Sequence, residues 1–565
     1  MVNVRELYNQ WKEVNLPSYL AEELVSIAED SSLIEDRFYQ YVSFGTGGMR
    51  GVLGAGTNRM NVYTIRRVAE GLARYIESNG EAAKERGLVI AYDTRHFSYE
   101  FACETASVLG AHGIRSYVYK EARPTPQLSF TVRQLHAYAG VVITASHNPK
   151  QYNGFKVYGE DGAQLTPQFA NDIVEHMENI ENIFSVKICE LEQLEQQGIL
   201  SWLGSDMDAA YLEHLLTLKD NDDIALNMKL VYTPLHGAGL VPVSEGLQAF
   251  GFQHIHIVNE QAVQDGAFPT VSYPNPEEPA AFALAIELGK KVGADLLLAT
   301  DPDADRLGVA VKNGEGYELL TGNQLGALLL HYLLSTKQSK DTLPDSGVML
   351  KTIVTSELGA VIAKQFGVTT VNTLTGFKYI AEKIAEYEKT GAFSYLFGYE
   401  ESYGYLIETF ARDKDAVQVA LKVAEMAAFY AKNEQTLLDG LQNLYHQYGY
   451  YKEALVSQVF EGKNGQDEMK AILDNLRRNV PESIAGLAVQ RFEDYLTGLT
   501  TLADGTTESI VLPKENVLKY ILEDNSWVAI RPSGTEPKCK FYFGVVGETE
   551  EEAQEKLKQL QAVFV

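Results

Sequence analysis

Short apolar runs alternate with amphipathic segments along most of this chain. The runs at 87–92, 141–143 and 294–300 are apolar like buried strands, and the apolar residues of 65–76 fall on one face of a helix. The alternation of strands and helices in this first part of the chain restarts after about 200 and again near 318. This pattern predicts three similar α/β domains, the first with a largely parallel sheet.

The two ends of the chain break this pattern. Residues 1–42 predict short amphipathic helices, interrupted at Pro17, that pack on the first domain. From about 448 the pattern predicts a helix-rich segment that closes with a strand, a polar loop and a strand, which makes a distinct α+β domain. With 565 residues the chain is long enough for about four domains. We therefore predict domains at 1–206, 207–317, 318–447 and 448–565.

Each predicted domain contains an apolar strand that ends in a loop rich in reactive side chains. The first loop, at 144–149, places Ser146 where open α/β sheets bind ligands at the carboxyl edge. Taken alone, Ser146 before Asn-Pro is equally typical of a helix cap or a turn. The coincidence of four such loops, each after a strand, favours one shared site.

Asp301, Asp303 and Asp305 alternate directly after the strand at 294–300. Because alternate side chains of an extended backbone point to one side, the three carboxylates can converge, and hard oxygen ligands suit Mg²⁺. The alternative is an acidic turn exposed to solvent. The segment is too short for an EF-hand, and it lacks the later bidentate glutamate of that motif.

The loops of the last two domains point to phosphate and sugar. Arg531, Ser533, Gly534 and Thr535 combine a guanidinium, two hydroxyls and an open backbone, which are the elements of a phosphate cradle. An ordinary hairpin turn is the alternative. Glu400-Glu401-Ser402 offers groups that can hold sugar hydroxyls, although this stretch alone would also fit a paired-carboxylate glycosidase or a solvated edge.

A serine beside a Mg²⁺ site and a phosphate cradle indicates phosphoryl transfer, which depends mainly on positioning and charge neutralisation. Gly-x-Ser-x-Gly is absent around Ser146, so a hydrolase triad is disfavoured. The glycine-rich stretch 44–51, with Arg50 as its one charge, lets the backbone approach a ligand, although a plain glycine loop is the alternative.

Composition narrows the class of protein further. The formal net charge of −28 argues against nucleic acid and against anionic membranes as partners. Three widely spaced cysteines fit a reducing cytosol, and the start of the chain lacks the apolar core of a signal peptide. No apolar run reaches the length of a membrane span. We therefore expect a cytoplasmic enzyme of small-molecule substrates.

Four segments resemble the signature loops of the α-D-phosphohexomutase superfamily, in the family's order and across nearly the whole chain. They are Thr144-Ala-Ser-His-Asn-Pro149, Asp301-Pro-Asp-Ala-Asp-Arg306, Gly398-Tyr-Glu-Glu-Ser402 and Arg531-Pro-Ser-Gly-Thr-Glu-Pro537. The stretches at 44–51, 375–378 and 413–415 resemble the phosphoglucomutase branch of that family more than the phosphomannomutases. The resemblance implies four domains around a central cleft, with three similar mixed α/β domains and a distinct α+β C-terminal domain.

The resemblance also implies a reaction. It is the interconversion of glucose 1-phosphate and glucose 6-phosphate by an isomerase, through a phosphoserine enzyme and glucose 1,6-bisphosphate. Ser146 would carry the phosphoryl group, and Asp301, Asp303, Asp305 and Ser146 would hold Mg²⁺. Glucose 1,6-bisphosphate would act as intermediate and activator.

The other roles are likewise implied by the family's pattern. Arg50 and Lys156 match positions that assist acid–base chemistry, and His147 matches a position that orients the serine loop. The residues that would contact the sugar phosphate are Arg306, Thr375, Gly376, Lys378, Glu400, Ser402, Lys414, Arg531, Ser533, Gly534 and Thr535.

Several alternatives stay open at the level of sequence. Relatives with similar loops act as phosphopentomutases or phosphomannomutases, and a sugar-bisphosphate synthase would release the bisphosphate instead of turning it over. An inactive binding paralogue is a fourth reading, which the intact Ser146, aspartates and Arg531 argue against. The expected partners are small-molecule sugar phosphates, and the expected assembly is a monomer or a homodimer.

Overall fold

The computed structural model describes residues 3–45, 47–460, 465–532 and 538–564. The described residues form two compact units. The first unit lies within Met1–Gly322, Ala381–Thr390 and Ser402–Glu434, and the second within Asn323–Ile380, Gly391–Glu401 and Gln435–Val565.

The helices of the described residues follow in chain order. They are α1 (Val4–Glu13), α2 (Ser18–Ser26), α3 (Ser31–Phe38), α4 (Val62–Ser78), α5 (Glu81–Arg86), α6 (Ser98–Ala111), α7 (Thr125–Gln134), α8 (Pro167–Glu178), α9 (Leu191–Gln196), α10 (Ser205–Leu216), α11 (Leu240–Phe250), α12 (Asn259–Ala262), α13 (Ala283–Val292), α14 (Gly322–Ser339), α15 (Leu358–Gln365), α16 (Phe377–Thr390), α17 (Ala416–Lys432), α18 (Leu437–Tyr448), α19 (Gly465–Arg478) and α20 (Glu550–Phe564). Two short 3-10 helices cover Ile183–Ser185 and Pro279–Phe282.

The strands fall into four sheets. They are β1 (Phe44–Gly45), β2 (Gly48–Val52), β3 (Leu88–Tyr92), β4 (Ser116–Tyr119), β5 (Ala139–Ile143), β6 (Tyr152–Tyr158), β7 (Leu200–Leu203), β8 (Lys229–Thr233), β9 (His254–Ile257), β10 (Leu296–Thr300), β11 (Leu307–Asn313), β12 (Gly316–Leu320), β13 (Gly347–Thr352), β14 (Thr369–Thr373), β15 (Ser394–Glu400), β16 (Gly404–Leu406), β17 (Tyr450–Val459), β18 (Ser483–Ile484), β19 (Leu487–Asp494), β20 (Leu499–Leu502), β21 (Thr507–Ser509), β22 (Leu518–Leu522), β23 (Trp527–Pro532) and β24 (Lys538–Gly547).

The three N-terminal helices form as the amphipathic pattern predicts. Asn3 caps α1 and Asp30 caps α3, each by accepting backbone N–H groups with its side chain. Trp11 of α1 is fully buried, and its ring meets Phe38, Tyr63 and Phe184 edge to face at 5.4 to 5.7 Å. Because Tyr63 belongs to α4, the helices pack on the first α/β domain, which confirms that prediction.

The first sheet is mixed and has the strand order β1-β2-β6-β5-β3-β4-β7. Strands β5, β3, β4 and β7 run parallel, and β6, β2 and β1 are antiparallel additions at one edge. The prediction of a largely parallel sheet therefore holds for β5, β3, β4 and β7 but not for the three strands at the other edge. The glycine-rich stretch, predicted as a loop, contributes the edge strands β1 and β2.

The second sheet of the first unit has the order β12-β11-β10-β8-β9. Its parallel strands β10, β8 and β9 are followed by the antiparallel β11 and β12. Strand β10 is buried along its whole length, and the segment that begins at Asp301 follows its carboxyl end directly. Both mixed sheets thus end a central parallel strand in a loop predicted to be functional.

In the second unit, β13 pairs in parallel with β14 and β15. Strand β15 continues to Glu400, which the sequence placed in a loop after the strand. Gly398 and Tyr399 are both buried and paired with β13. Glu400 is therefore carried by a strand end, which restricts its backbone more than a loop would.

The C-terminal domain is built mainly from strands, so the helix-rich prediction after 448 was wrong. Strands β17, β24, β23, β22, β19, β20 and β21 form an antiparallel sheet in that order, and β18 pairs with β19. Residues 450–459 contain several helix formers, but all ten pair with β24, and this pairing overrides local propensity. Thr549 caps α20 by accepting the N–H of Glu552 at 3.2 Å.

A membrane-spanning helix was not expected from the sequence. Among the residues that the structure describes, no helix combines the length and the apolar character needed to cross a bilayer.

Candidate active site

The loop after β5 holds Ser146 in an unusual backbone conformation. The φ angle of Ser146 is 52°, in the left-handed region that non-glycine residues seldom adopt. The hydroxyl of Thr144 accepts the N–H of Ser146 at 2.8 Å and donates to Asp93 at 2.6 Å. These bonds fix the turn and with it the direction of the Ser146 side chain. Ser146 is buried, with 3% of its surface exposed.

A buried arginine completes the support of this loop. Arg95 donates to the backbone oxygens of Ser146 at 2.6 Å and of Pro149 at 2.9 Å, and also to that of Asn148. Its charge is balanced by Asp93 at 3.2 Å. Residues 93–95 were given no role from the sequence. A polar triplet follows the apolar strand β3 just as Ser146 follows β5, but this pattern does not show which distant loop Arg95 supports.

The hydroxyl of Ser146 meets the aspartate segment of the second sheet. Its Oγ donates to Oδ2 of Asp301 at 2.8 Å and lies 3.1 Å from Nδ1 of His147. Asp301, Asp303 and Asp305 are all buried, and each offers one carboxylate oxygen that lies within 4.8 Å of those of the others. The structure therefore brings together the serine and the three carboxylates that the sequence singled out.

Backbone and lysine groups satisfy part of this carboxylate cluster. Oδ1 of Asp301 accepts the N–H groups of Asp305 and Arg306 at 3.1 and 3.0 Å. Lys156 donates to Oδ2 of Asp303 at 2.9 Å, and Lys414 lies 3.1 Å from Oδ2 of Asp305. Two lysines thus oppose three carboxylates at close range, and Nε of Arg306 lies 3.9 Å from Oδ1 of Asp305, beyond hydrogen-bond distance.

The same cluster leaves two acceptors unsatisfied. Oδ1 of Asp303 and Oδ1 of Asp305 are buried and accept no hydrogen bond from any described residue. Buried polar atoms are normally paired, so an unpaired pair of carboxylate oxygens needs an explanation. A hard divalent cation bound by oxygens supplies one, and the donor set suits Mg²⁺.

Electrostatics separates the three aspartates. Burial, and then the neighbouring Asp303 and Asp305 carboxylates, hold the pKa of Asp301 well above its usual range. Burial also opposes ionisation of Asp303, but the ammonium of Lys156 outweighs it and the pKa of Asp303 lies below its usual range. Lys156 is buried too, yet Asp303 and Asp305 keep its pKa above the ordinary value, so it is charged near neutral pH.

His147 and Arg50 complete the serine side of the site. Burial, followed by the cations of Arg306 and Arg50, holds the pKa of His147 well below its usual range, so the ring is neutral near pH 7. Arg50 donates to Oδ1 of Asn148 at 2.9 Å, two residues beyond Ser146. Arg306 forms an ion pair with Glu277.

Two supporting residues had no usable sequence signal. The hydroxyl of Thr125 donates to Oδ2 of Asp303 at 2.9 Å, and its N–H donates to the backbone oxygen of Asp303. A Cβ added at Gly404 would lie 2.2 Å from Cδ of Lys414, so only glycine leaves room for the lysine stem. Neither position follows from a local pattern, because each depends on a contact distant in sequence.

The sugar-loop residues can be placed only in part. In the second unit, Oε1 of Glu400 accepts the N–H of Gly376 at 2.9 Å, and Gly376 has a φ of 116°. Lys378 lies over the ring of Tyr379 at 5.0 Å, and the buried Oγ1 of Thr375 has no hydrogen-bond partner among the described residues. In the first unit, Ser402 is half-buried in a turn.

The predicted phosphate loop is described only at its edge. Nε of Arg531 donates to Oε1 of Glu515 at 2.9 Å, and the arginine lies at the end of β23. Burial would lower the pKa of Arg531, but Glu515 raises it above its ordinary value. Ser533, Gly534 and Thr535 lie outside the described residues.

Comparisons with known proteins account for this organisation. Four family models match in order: the alpha/beta/alpha domains I, II and III of phosphoglucomutase/phosphomannomutase at 42–184, 209–314 and 321–448, and the C-terminal domain at 468–560. The chain belongs to the phosphoglucomutase/phosphomannomutase family. Its four-domain architecture, which the resemblance implied, is that of the family.

Curated members of the family are similar along nearly the whole chain. A phosphoglucomutase of Staphylococcus haemolyticus is 40% identical over 537 residues, which cover 94% of this chain and 96% of that protein. A phosphoglucomutase of Staphylococcus aureus strain USA300 is 39% identical and covers 92% of each chain. The chain is therefore an enzyme, an isomerase of the phosphohexomutase type.

Solved structures of the phosphoglucomutase/phosphomannomutase family share the fold. The open form of parafusin, a phosphoglucomutase from Paramecium, has a TM-score of 0.68 at 16% identity and covers 93% of this chain and 95% of its own. A family protein from Burkholderia thailandensis has a TM-score of 0.66 at 19% identity, with coverage of 92% and 95%. These two likenesses concern the fold alone.

Proposed function

We propose that this enzyme is an α-phosphoglucomutase, which interconverts glucose 1-phosphate and glucose 6-phosphate through a phosphoserine at Ser146. The observation that carries the proposal is the hydrogen bond from Oγ of Ser146 to Asp301 in a cluster with two unpaired carboxylate oxygens. The names of relatives about 40% identical over most of the chain support the choice of sugar.

Asp301, Asp303 and Asp305 would hold Mg²⁺, since their unpaired oxygens and hard-ligand chemistry fit that ion. When bound, the ion neutralises charge on the oxygens of the transferring phosphoryl group. The phosphate of phosphorylated Ser146 would add about −1.5 to −2 charges next to Asp301. The serine loop and the aspartate segment therefore need a cation whenever the enzyme is phosphorylated.

The transfer itself breaks the bond between phosphorus and Oγ of Ser146 and forms a bond to a sugar hydroxyl oxygen. The sugar hydroxyl loses its proton to solvent and Oγ gains one from a protein acid, which solvent then reprotonates, so the number of bound protons is unchanged. Lys156 begins as an ammonium because Asp303 and Asp305 raise its pKa, so we assign it as the acid that protonates Oγ. The guanidinium of Arg50 stays charged, and its role is to stabilise developing negative charge.

The second half of the reaction returns the other phosphate of glucose 1,6-bisphosphate to Ser146. Glu400 and Ser402 would bind the sugar hydroxyls in either orientation, and Thr375, Gly376 and Lys378 would line the same sugar loop. Arg531, with Ser533, Gly534 and Thr535, would bind the phosphate that is not transferring. Arg306 would contact the phosphoserine, Lys414 the sugar or its phosphate, and His147 would orient the loop.

A substrate panel tests the choice of sugar. Initial rates would be measured with Mg²⁺ and a trace of glucose 1,6-bisphosphate on the 1-phosphates of glucose, mannose and ribose. We expect a strong preference for glucose 1-phosphate. A preference for ribose or mannose would retain the phosphoserine chemistry and replace the sugar. Net glucose 1,6-bisphosphate formation from 1,3-bisphosphoglycerate would instead indicate a bisphosphate synthase.

A variant of Ser146 tests the mechanism independently of the sugar. Ser146→Ala removes the only atom that this mechanism phosphorylates, so we expect turnover to fall to background. Intact-protein mass spectrometry should show one phosphate on the wild type and none on the variant. Ser78→Ala, at an exposed helix end, is the matched control and should match the wild type in both. Wild-type turnover by Ser146→Ala would sink the proposal.

The location in the cell is part of the same proposal. The three cysteines are all free thiols, which is compatible with the cytoplasm. Phosphorylated sugars are also retained there by their charge. We infer a cytoplasmic enzyme, which fractionation of the source cells with antibody detection would test.

A further inference from the structure

The three N-terminal helices have no role in the proposed chemistry. Two of them, α2 and α3, form hydrogen bonds to one residue of the loop that follows β2. Oε2 of Glu23, on α2, accepts the N–H of Ala55 at 2.6 Å. Nη1 of Arg37, on α3, donates to the backbone oxygen of Ala55 at 3.3 Å and to Oε1 of Glu23 at 2.5 Å. We call Glu23, Arg37 and Ala55 the Ala55 clamp.

The Ala55 clamp leaves no room for side chains at the glycines on either side of Ala55. Gly54 and Gly56 have φ angles of 145° and 124°. A Cβ at Gly54 would lie 2.8 Å from Oε1 of Glu23, and a Cβ at Gly56 would lie 2.6 Å from the backbone oxygen of Arg37. The close approach of α2 and α3 therefore requires glycine at both positions.

Further bonds tie the same loop to the N-terminal segment. The N–H of Asn58 donates to the backbone oxygen of Arg37 at 2.9 Å, and the hydroxyl of Thr57 donates to that of Gln40 at 2.6 Å. The N–H of Val42 returns to the backbone oxygen of Thr57 at 2.9 Å. The loop is therefore held from both ends and from both sides of its backbone.

This loop is the direct continuation of the strand that carries Arg50. In β2, Arg50 pairs with Gly154 and Gly48 pairs with Lys156. The register between β2 and β6 thus sets where Arg50 lies relative to Lys156 and to the serine loop. Arg50 reaches that loop through its bond to Asn148.

Strand β2 is poorly equipped to define its own register. It is five residues long, contains Gly48 and Gly51, and pairs on its outer side with the two-residue β1, while the N–H of Met60 donates to the backbone oxygen of Val52 at its end. Register is weakly specified in glycine-rich strands, because few side chains lock the pairing. An anchor immediately beyond the strand would supply what the strand lacks.

We propose that Glu23 and Arg37 are positioning residues for Arg50: the Ala55 clamp pins the end of β2 and thereby holds the Arg50 guanidinium at the serine loop. This inference rests on the proposed function for the role of Arg50. The N-terminal helices then contribute to turnover and not only to the stability of the first domain.

A double-mutant cycle between Glu23 and Arg50 tests the inference. Glu23→Ala, Arg50→Gln and the double variant would be compared for kcat and KM with glucose 1-phosphate. We expect Glu23→Ala to lower kcat about tenfold while KM changes by less than about twofold. In the Arg50→Gln background the same change should cost less than about twofold, because the clamp then has no guanidinium to position. If Glu23→Ala caused a structural defect unrelated to Arg50, its fold-loss of kcat would multiply with that of Arg50→Gln.

Glu22→Ala is the matched control, since Glu22 is exposed and neighbours Glu23 on the same helix. It should keep wild-type kcat in both backgrounds. Amide hydrogen exchange over 52–58 gives a readout besides activity, and it should accelerate in Glu23→Ala but not in Glu22→Ala. Glu23→Gln retains an acceptor for the N–H of Ala55 and removes only the ion pair with Arg37. It replaces Glu23→Ala in the same cycle if the alanine variant does not fold.

The outcomes separate this inference from the proposed function. If the wild type turns over glucose 1-phosphate and the effects of Glu23 and Arg50 variants multiply, the positioning role is wrong and the function stands. Unchanged kcat in Glu23→Ala and Glu23→Gln overturns it equally. If the wild type prefers another sugar phosphate, the proposed function fails, and the same cycle measured on that substrate still decides the clamp.

Discussion

Glu70 and the aspartates at 301–305 are buried carboxylates of the first unit, but their charges are balanced in opposite ways. Glu70 accepts Nε of Arg74 and lies against Nε2 of His112, both at 2.8 Å, and Nδ1 of His112 lies 3.0 Å from Glu77. Each charge of this cluster has an opposite partner. The aspartate cluster at 301–305 instead keeps two buried oxygens that no described residue satisfies.

The pKa directions express the same difference. The hydrogen bond from His112 holds the pKa of Glu70 below its usual range, and the bond to Glu70 raises the pKa of His112. Burial and like charges push the pKa of Asp301 the other way. A self-neutralising cluster stabilises the fold, whereas a cluster with excess negative charge is prepared for a cation. Residue types alone do not distinguish the two.

Asp303→Asn should have the largest effect, because it removes a carboxylate from the unbalanced cluster. We expect turnover to fall by more than about a hundredfold. We also expect the rise in melting temperature on adding Mg²⁺ to disappear, as measured by differential scanning fluorimetry with and without a chelator. The metal-free variant should also lose stability, because Lys156 holds the pKa of Asp303 below its usual range and the amide takes away the charge that pairs with this buried ammonium.

Asp222→Asn is the control for charge, because the Asp222 side chain is 94% exposed. It should keep both the activity and the Mg²⁺-dependent shift. A Mg²⁺-dependent shift of wild-type size in Asp303→Asn would show that the ion binds elsewhere.

Gly404→Ala tests whether the cations of the aspartate cluster must be placed as closely as the structure shows. The added methyl group would overlap Cδ of Lys414 and displace its ammonium from Asp305. We expect kcat to fall about tenfold and unfolding free energy to fall by about 1–3 kcal/mol. Gly204→Ala is the control, since a Cβ there meets nothing within 4 Å. An unaltered kcat would mean that Lys414 is dispensable.

His112→Gln should act on stability alone and only at lower pH. Because the folded-state pKa of His112 is raised, its ion pairs stabilise the fold fully below the unfolded pKa of about 6.5 and lose this effect as pH rises through the folded pKa. We expect the variant to be less stable than wild type by about 1 kcal/mol near pH 6 and nearly equal near pH 9, by urea unfolding.

The control for this variant is His254→Gln, at an exposed histidine of β9. It should show no such pH dependence. Turnover of His112→Gln at neutral pH should stay within about twofold of wild type. A larger loss of turnover would connect this cluster to the active site and weaken the contrast.

Glu77→Gln should have the smallest effect. Its side chain is 39% exposed, whereas that of Glu70 is 9% exposed and holds both Arg74 and His112. We expect Glu77→Gln to cost less than about 0.5 kcal/mol and Glu70→Gln to cost more, both measured near pH 6. Equal losses of unfolding free energy in the two variants would show that burial does not decide how much each glutamate stabilises His112.

Much of the site could be predicted because its residues sit at strand ends. The apolar runs of β5 and β10 mark where Ser146 and Asp301 emerge, and the repetition of such loops after successive strands predicted that they share one site. The supports could not be predicted in this way. Arg95, Thr125 and Gly404 act on residues 51, 178 and 10 positions away, and no local pattern records such contacts.

Errors in the prediction have the same origin. The glycine-rich stretch 44–51 was interpreted as a loop that a ligand can approach, but pairing with β6 makes most of it the edge strands β1 and β2. Strand β17 contains helix formers, and its pairing with β24 decides its state. Glu400 was assigned to a loop, yet burial of Gly398 and Tyr399 against β13 extends the strand.

The sequence by itself determined the α/β periodicity, the order of the four functional segments and the type of chemistry, because these depend on residue type and local spacing. The tertiary structure alone decided which charges stay unpaired. Glu70 and Asp303 are both buried carboxylates, and only long-range packing places Arg74 and His112 around one and leaves an oxygen of the other unsatisfied. Coulomb energies depend on distance and burial, which are properties of the folded chain.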